Sequence, residues 1–90
     1  MSDFHDNRER SRFELNVDGH VAFADYRRGG GQLVIDHVET PVALRGGGVA
    51  AKVMEGVAQA ARAEGAKVVP ICSYAVVWFQ RHPAEADLLA

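Results

Sequence analysis

The feature that most constrains this chain is a change of hydrophobic period at Arg45-Gly46-Gly47-Gly48. Before it, Phe13, Leu15 and Val17 alternate with Arg12, Glu14 and Asn16, the period-two pattern of a half-buried strand. After it, Ala50, Val53, Met54, Val57, Ala58 and Ala61 recur at steps of three and four. That spacing makes one apolar stripe along an amphipathic helix, with Lys52, Glu55, Gln59 and Arg62 largely on the other face. The chain must therefore join strands to helix at a run of glycines.

The remaining elements follow from local signals. Asp18-Gly19 is a two-residue hairpin turn that links Phe13–Val17 to the strand-like "HVAFADY". "QLVIDHVET" is again strand-like and stops at Pro41. Gly65 caps the long helix at its C-terminus. "KVVPICS" reads as a short buried strand, and "YAVVWFQRH" as a final helix closed by His82-Pro83. The expected order is βββ-α-β-α. The fold class is α/β with a mixed sheet: three antiparallel strands, then a β-α-β crossover that makes the last two strands parallel, then a C-terminal helix. Gly56 interrupts the helix at a cost of about 1 kcal/mol relative to alanine, which a close approach of helix to sheet would explain.

Ninety residues allow one domain at most. Residues 1–10, mostly polar and charged, read as a flexible N-terminal tail, and residues 11–90 as the folded domain. A net charge of -2 argues against a duplex nucleic-acid partner. With no long apolar run and no leader-like segment, the expectation is a cytoplasmic protein without a membrane partner. The single cysteine, Cys72, excludes an internal disulfide, and the four histidines lack metal-ligand spacing, so no metal is expected.

"RGGG" occurs twice, at 28–31 and at 45–48, in different contexts. The first copy joins two strands, so a hairpin loop is its natural role. The second opens a helix, whose first backbone N–H groups have no intrahelical partner and carry partial positive charge. Glycines leave those amides uncovered, as in sites for phosphate groups. The other reading is a tight strand-to-helix connection with no ligand. Val49-Ala50 follows where a phosphate loop of the Walker type needs Lys-Ser or Lys-Thr. Antiparallel strands precede the motif, and the acidic ribose-binding residue is missing, so a dinucleotide fold is excluded.

The pattern that fits is R-x-x-G-x-A, from Arg45 to Ala50. It resembles the acetyl-CoA pyrophosphate loop of the GNAT acetyltransferase superfamily. Residues 37–83 as a whole resemble small single-domain GNAT-like proteins of the acetyltransferase-CG type: a His-x-Glu strand, the glycine loop and its helix, a strand ending in Cys-Ser-Tyr, and a terminal His-Pro. The resemblance implies an acetyl-CoA-dependent N-acetyltransferase acting on an amine acceptor that the sequence does not identify. The acceptor side lacks the extra elements of larger relatives, so it is open or completed by a partner or a second copy.

The resemblance also assigns sites. Acetyl-CoA would lie where His37–Thr40 parts from the strand Val68–Cys72, its pantetheine arm against the backbone near Val38 and Thr40. The amides of Gly46, Gly47, Gly48, Val49 and Ala50 would hold the pyrophosphate, and Arg45 would add charge or hold the loop. Gly47 stands where many relatives carry a basic residue. Ser73 and Phe79 would line the cofactor, with Phe79 at the position of a tyrosine that serves larger relatives as acid. Glu39 or His37 would take a proton from the amine, since both sit at the strand end and share a face. Each has a plain alternative, a solvated carboxylate and a packed histidine. Cys72 either accepts the acetyl group covalently or only lines the pocket. Rival readings are a CoA-binding or regulatory module without turnover and an interaction domain whose glycine loop holds no ligand.

Overall fold

The computed structural model describes residues 3–90. Its five strands lie in sequence order in one mixed sheet: β1 (Asp3–Asn7), β2 (Arg12–Val17), β3 (His20–Gly29), β4 (Gln32–Glu39) and β5 (Lys67–Pro70). The first four are antiparallel neighbours, and β5 is parallel to β4. Helix α1 (Val49–Glu64) crosses from β4 to β5, and α2 (Ser73–Arg81) follows β5. A 3-10 turn at Val42–Leu44 precedes α1, and a 3-10 segment at Pro83–Leu88 follows α2. The mixed sheet and the crossover are as the sequence pattern requires.

The polar start departs from expectation. Residues 3–7 are not a tail but the strand β1, paired along its whole length with β2; Met1 and Ser2 lie outside the described residues. Several of the polar groups that made the segment look unstructured find partners. Asp6 accepts hydrogen bonds from the Tyr26 hydroxyl at 2.6 Å and from Arg28 at 3.1 Å. His5 and Asn7 both reach Glu14. The one large apolar residue, Phe4, stacks on Phe13 with ring centroids 5.6 Å apart. It also explains Gly56: a Cβ built there would stand 2.4 Å from the Phe4 ring.

Both hairpin turns use positive φ. Asp18 and Gly19 sit at φ 51° and 80°, and Gly30 and Gly31 at 57° and 76°, so the first glycine run is a tight turn between β3 and β4.

Both helices cover the same face of the sheet. The two crossovers step in one direction, from β4 to β5 and from β5 to Leu89, which bridges Val68 in parallel. Right-handed connections that advance the same way leave their helices on one side. Accordingly, the buried residues of α1 (Val49, Val53, Met54, Val57, Ala58, Ala61) and of α2 (Ala75, Trp78, Phe79) join one core with Phe13, Leu15, Ala22, Ala24, Tyr26, Leu33, Ile35 and Val68. Among the described residues no helix packs on the opposite face. There Val21, Phe23, Val34 and Val69 are only half-buried.

Candidate active site

Strands β4 and β5 part company after a short ladder. Their register runs from Gln32 opposite Lys67 to Ile35 opposite Pro70 and goes no further. The reason is local: right after Pro70 the chain turns into α2, with Cys72 as its N-cap. The carbonyl of Ile35 closes the ladder by accepting both Ile71 N–H at 2.9 Å and Cys72 N–H at 3.2 Å. From Asp36 to Glu39, β4 has a ladder only on its β3 side. One edge of that segment therefore offers backbone groups to a ligand.

The end of α1 opens on the same side of the fold. Gly46 and the N-cap Gly48 adopt φ 86° and 72°, the left-handed conformation in which glycine is favoured. Gly48 gives no side-chain cap, and the first intrahelical bond runs from Lys52 N–H to Gly48 O. The N–H groups of Val49, Ala50 and Ala51 thus have no intrahelical acceptor, and the helix dipole makes them attractive to an anion. They border a cavity of about 170 Å³ lined by Thr40, Leu44, Arg45, Gly46, Gly48, Val49, Ala50, Ala51 and Tyr74. Ala50, expected on the buried stripe, is only half-buried and lines this cavity.

A β-bulge sets which way β4 points its polar residues. Leu33 and Ile35 are fully buried, and an unbroken alternation would drive His37 and Glu39 into the core after them. The register shifts between Asp25 and Tyr26, whose partners are His37 and Ile35, so Asp36 is an extra residue in β4. Parity changes there. Val38 then packs against the core, while His37 and Glu39 emerge on the helix-free face, their side chains 53% and 42% exposed.

On that face the charged groups form a chain. His37 Nε2 lies 3.0 Å from Glu39 Oε1, and Glu39 Oε2 lies 3.6 Å from Arg45 Nη2. Arg45 Nε donates to the Thr40 carbonyl at 3.2 Å. The hydrogen bond from His37, helped by the charge of Arg45, holds the Glu39 carboxyl below the usual carboxylate range. Arg45 is thus folded back on the end of β4 and holds the loop.

An edge-open strand, a glycine loop and bare helix amides meet in one place, and comparison with known families says what kind of protein builds this. The model of the GCN5-related N-acetyl-transferase family, Acetyltransf_CG, matches residues 12–88. The chain belongs to that family. The solution structure of "a GCN5-like putative N-acetyltransferase from Staphylococcus aureus" superposes with a TM-score of 0.72 over 98% of this chain and 87% of that one. At 20% identity that likeness speaks for the GNAT-like fold. Among curated proteins, none matches the chain significantly.

The residues that the resemblance points to fall in three groups here. Arg45 to Ala50 stand together at the cavity, with Thr40 beside them. Gly47 is outside the lining, at an ordinary φ, and a side chain there would make only van der Waals contact with Leu44 O at 3.6 Å. His37, Val38 and Glu39 occupy the unpaired end of β4. Cys72 is not the last strand residue the sequence pattern suggests: β5 ends at Pro70 and Cys72 is the N-cap of α2, half-buried, its N–H on Ile35 O. Ser73, the first residue of α2, is exposed. Phe79 is buried in the core, edge-on to Trp78 with centroids 5.1 Å apart, and does not line the cavity. Tyr74 does, and burial raises its hydroxyl pKa despite the opposing charge of Arg81, so it is a neutral donor at physiological pH. In the sequence Tyr74 closes the Cys-Ser-Tyr motif but stands about one turn before Phe79, the position expected for the acid. The bulge at Asp36 carried no glycine or proline and was equally silent.

Proposed function

We propose that this protein transfers an acetyl group from acetyl-CoA to an amine. The observation that carries the reading is the coincidence of the β4–β5 splay with the uncapped N-terminus of α1. Acetyl-CoA is a thioester joined through pantetheine to a pyrophosphate. The arm is an extended amide chain that can pair with the free edge of Asp36–Glu39. The pyrophosphate suits the amides of Val49, Ala50 and Ala51, with Gly46 to Gly48 clearing its approach. Thr40 and Tyr74 add hydroxyls to the same cavity.

In the reaction the neutral amine attacks the thioester carbonyl carbon. The N–C bond forms, the C–S bond breaks, the amine gives up a proton and the thiolate gains one, leaving amide and CoA. His37 and Glu39 stand at the splay and face solvent on the helix-free side, so the acceptor reaches them from there. Proton uptake belongs to this pair. The acceptor is met on an open sheet face, which admits a protein amine or polyamine as readily as a small molecule. Cys72 N–H is committed to Ile35 O, which keeps the cysteine at the splay, where a thiol can line the thioester or accept the acetyl group.

Calorimetric titration with acetyl-CoA and CoA tests binding, and acetyl transfer to a panel of amines tests turnover. Saturable binding of both ligands and accumulation of free CoA with an acetylated amine are expected. Absence of binding at millimolar ligand removes the reading. One observation favours a second reading, CoA binding without turnover: Phe79 supplies no ionisable group and is sealed in the core. Binding without CoA release on any amine would select it. Intact mass after incubation with acetyl-CoA decides the covalent role of Cys72; an adduct that persists in Cys72→Ala removes it.

A further inference from the structure

Two acid–base groups at one splay raise the question of which one takes the proton, and the geometry answers it. We propose that Glu39 is a positioning residue, which holds His37 by its Nε2–H, and that His37 Nδ1 is the atom that accepts the proton. This rests on the acetyl-transfer reading above.

Glu39 uses both carboxylate oxygens. Oε1 faces His37 Nε2 at 3.0 Å, and Oε2 faces Arg45 Nη2 at 3.6 Å. An ionised carboxylate only accepts hydrogen bonds, so the proton of that contact is on Nε2. A neutral imidazole with Nε2 protonated has Nδ1 free as its acceptor. Glu39 itself is a poor proton acceptor, because His37 and Arg45 both stabilise its charged form. When Nδ1 takes the proton of an ammonium acceptor, the products are a neutral amine and an imidazolium. The carboxylate 3.0 Å away then offsets that new charge.

The backbone supports the same division of roles. The bulge at Asp36 turns His37 and Glu39 out of the core together, two residues apart and on one side. The His37 ring also stands edge-on to Phe23, centroids 6.5 Å apart, which limits its swing on the other side. Arg45 fixes the far end of Glu39 and is itself tied to Thr40 O at 3.2 Å. The base is therefore anchored, through one carboxylate, to the loop that opens α1.

Histidine-selective 15N spectra of the full chain test this without any need for turnover. At a pH where the ring is neutral, His37 should show a single protonated nitrogen, Nε2, with its N–H protected from solvent exchange. His20, exposed on its strand, serves as the free reference. In Glu39→Ala the His37 signals should move to those of His20 and the N–H signal should be lost. Kinetics supply the second arm. Glu39→Ala should lower kcat about tenfold, less than the roughly 10²–10⁴-fold that loss of the base itself costs, with the KM for acetyl-CoA within twofold of the parent. The same change in a His37→Gln background should have no further effect. A parent protein whose His37 signals already match His20, or two losses in kcat that multiply, overturns the proposal. A parent protein that acetylates no amine refutes the transfer reading instead, and the 15N result still decides whether Glu39 holds the ring.

Discussion

At the scale of single residues, two glycines of α1 and its loop do opposite work. Gly56 is needed for what it leaves out, since the Phe4 ring occupies the space of its Cβ. Gly56→Ala gains about 1 kcal/mol of helix propensity but forces an overpacked contact that costs about 1–3 kcal/mol. The expected net result in urea denaturation is a loss of about 1 kcal/mol. In a Phe4→Ala background the same change should instead stabilise, by up to about 1 kcal/mol. Gly47 is different: its φ is ordinary and its surroundings are open enough for a side chain. Gly47→Asp should weaken CoA binding at least tenfold by placing a carboxylate beside the pyrophosphate, and Gly47→Arg should tighten it. Equal affinities in calorimetry would mean that the pyrophosphate lies elsewhere. A helical glycine announces a close approach in the sequence, yet nothing in the sequence names Phe4 as the neighbour. Likewise, the His-x-Glu spacing places His37 and Glu39 on one face, but only the bulge decides that it is the face away from the core.

At the scale of elements, β1 shows what composition hides. Its polar string looks like a solvated tail until the partners are seen, and those partners are distant in sequence. Glu14 is the centre of this group, 8% exposed and bonded to Arg12 at 2.6 Å, Asn7 at 3.2 Å and His5 at 3.0 Å. The Arg12 guanidinium holds its carboxyl below the usual range, against the opposing effect of burial. A carboxyl whose pKa is lowered by folding stabilises the fold fully above its unfolded pKa, about 4.3. That contribution is lost as pH falls through the lower, folded value. Thermal melts should therefore show stability falling steeply below about pH 4, and Glu14→Gln should flatten that acid limb while lowering stability at neutral pH. An acid limb identical to the parent's would show that the Glu14 cluster is not what ties β1 to the sheet. The longer elements were legible because each has a strong period or a turn signal of its own: the α1 stripe, Asp18-Gly19, and Gly65, which caps α1 at φ 69°.

At the scale of the whole molecule, the architecture is asymmetric: both helices lie on one face of the sheet, and among the described residues no helix covers the other. The C-terminal 3-10 segment is pinned on the helix side by Arg62, which reaches Glu85 at 2.6 Å and Asp87 at 2.8 Å. These are exposed pairs worth about 0–1 kcal/mol each, so Arg62→Ala should loosen residues 83–90 in hydrogen exchange with little effect on global stability. The bare face is where the bulge presents His37 and Glu39; on the proposed reading it leaves an acceptor room to approach a cofactor held on the edge. The topology was readable because a β-α-β crossover follows from one helical period between two strands. The position of the splay was not, because it depends on where β5 turns into α2 beside Ile35, a partner that lies far away in the chain.

The central claim is that acetyl-CoA lies along the free edge of β4 with its pyrophosphate on the first turn of α1. Backbone amide NMR during titration with CoA tests it most directly. The largest shifts should fall on residues 36–40 and 46–51, with Cys72 and Tyr74 affected and the hairpin at Gly30-Gly31 unmoved. Shifts confined to that hairpin or to the outer strands β1 and β2, with 36–40 and 46–51 unchanged at saturating CoA, would contradict it.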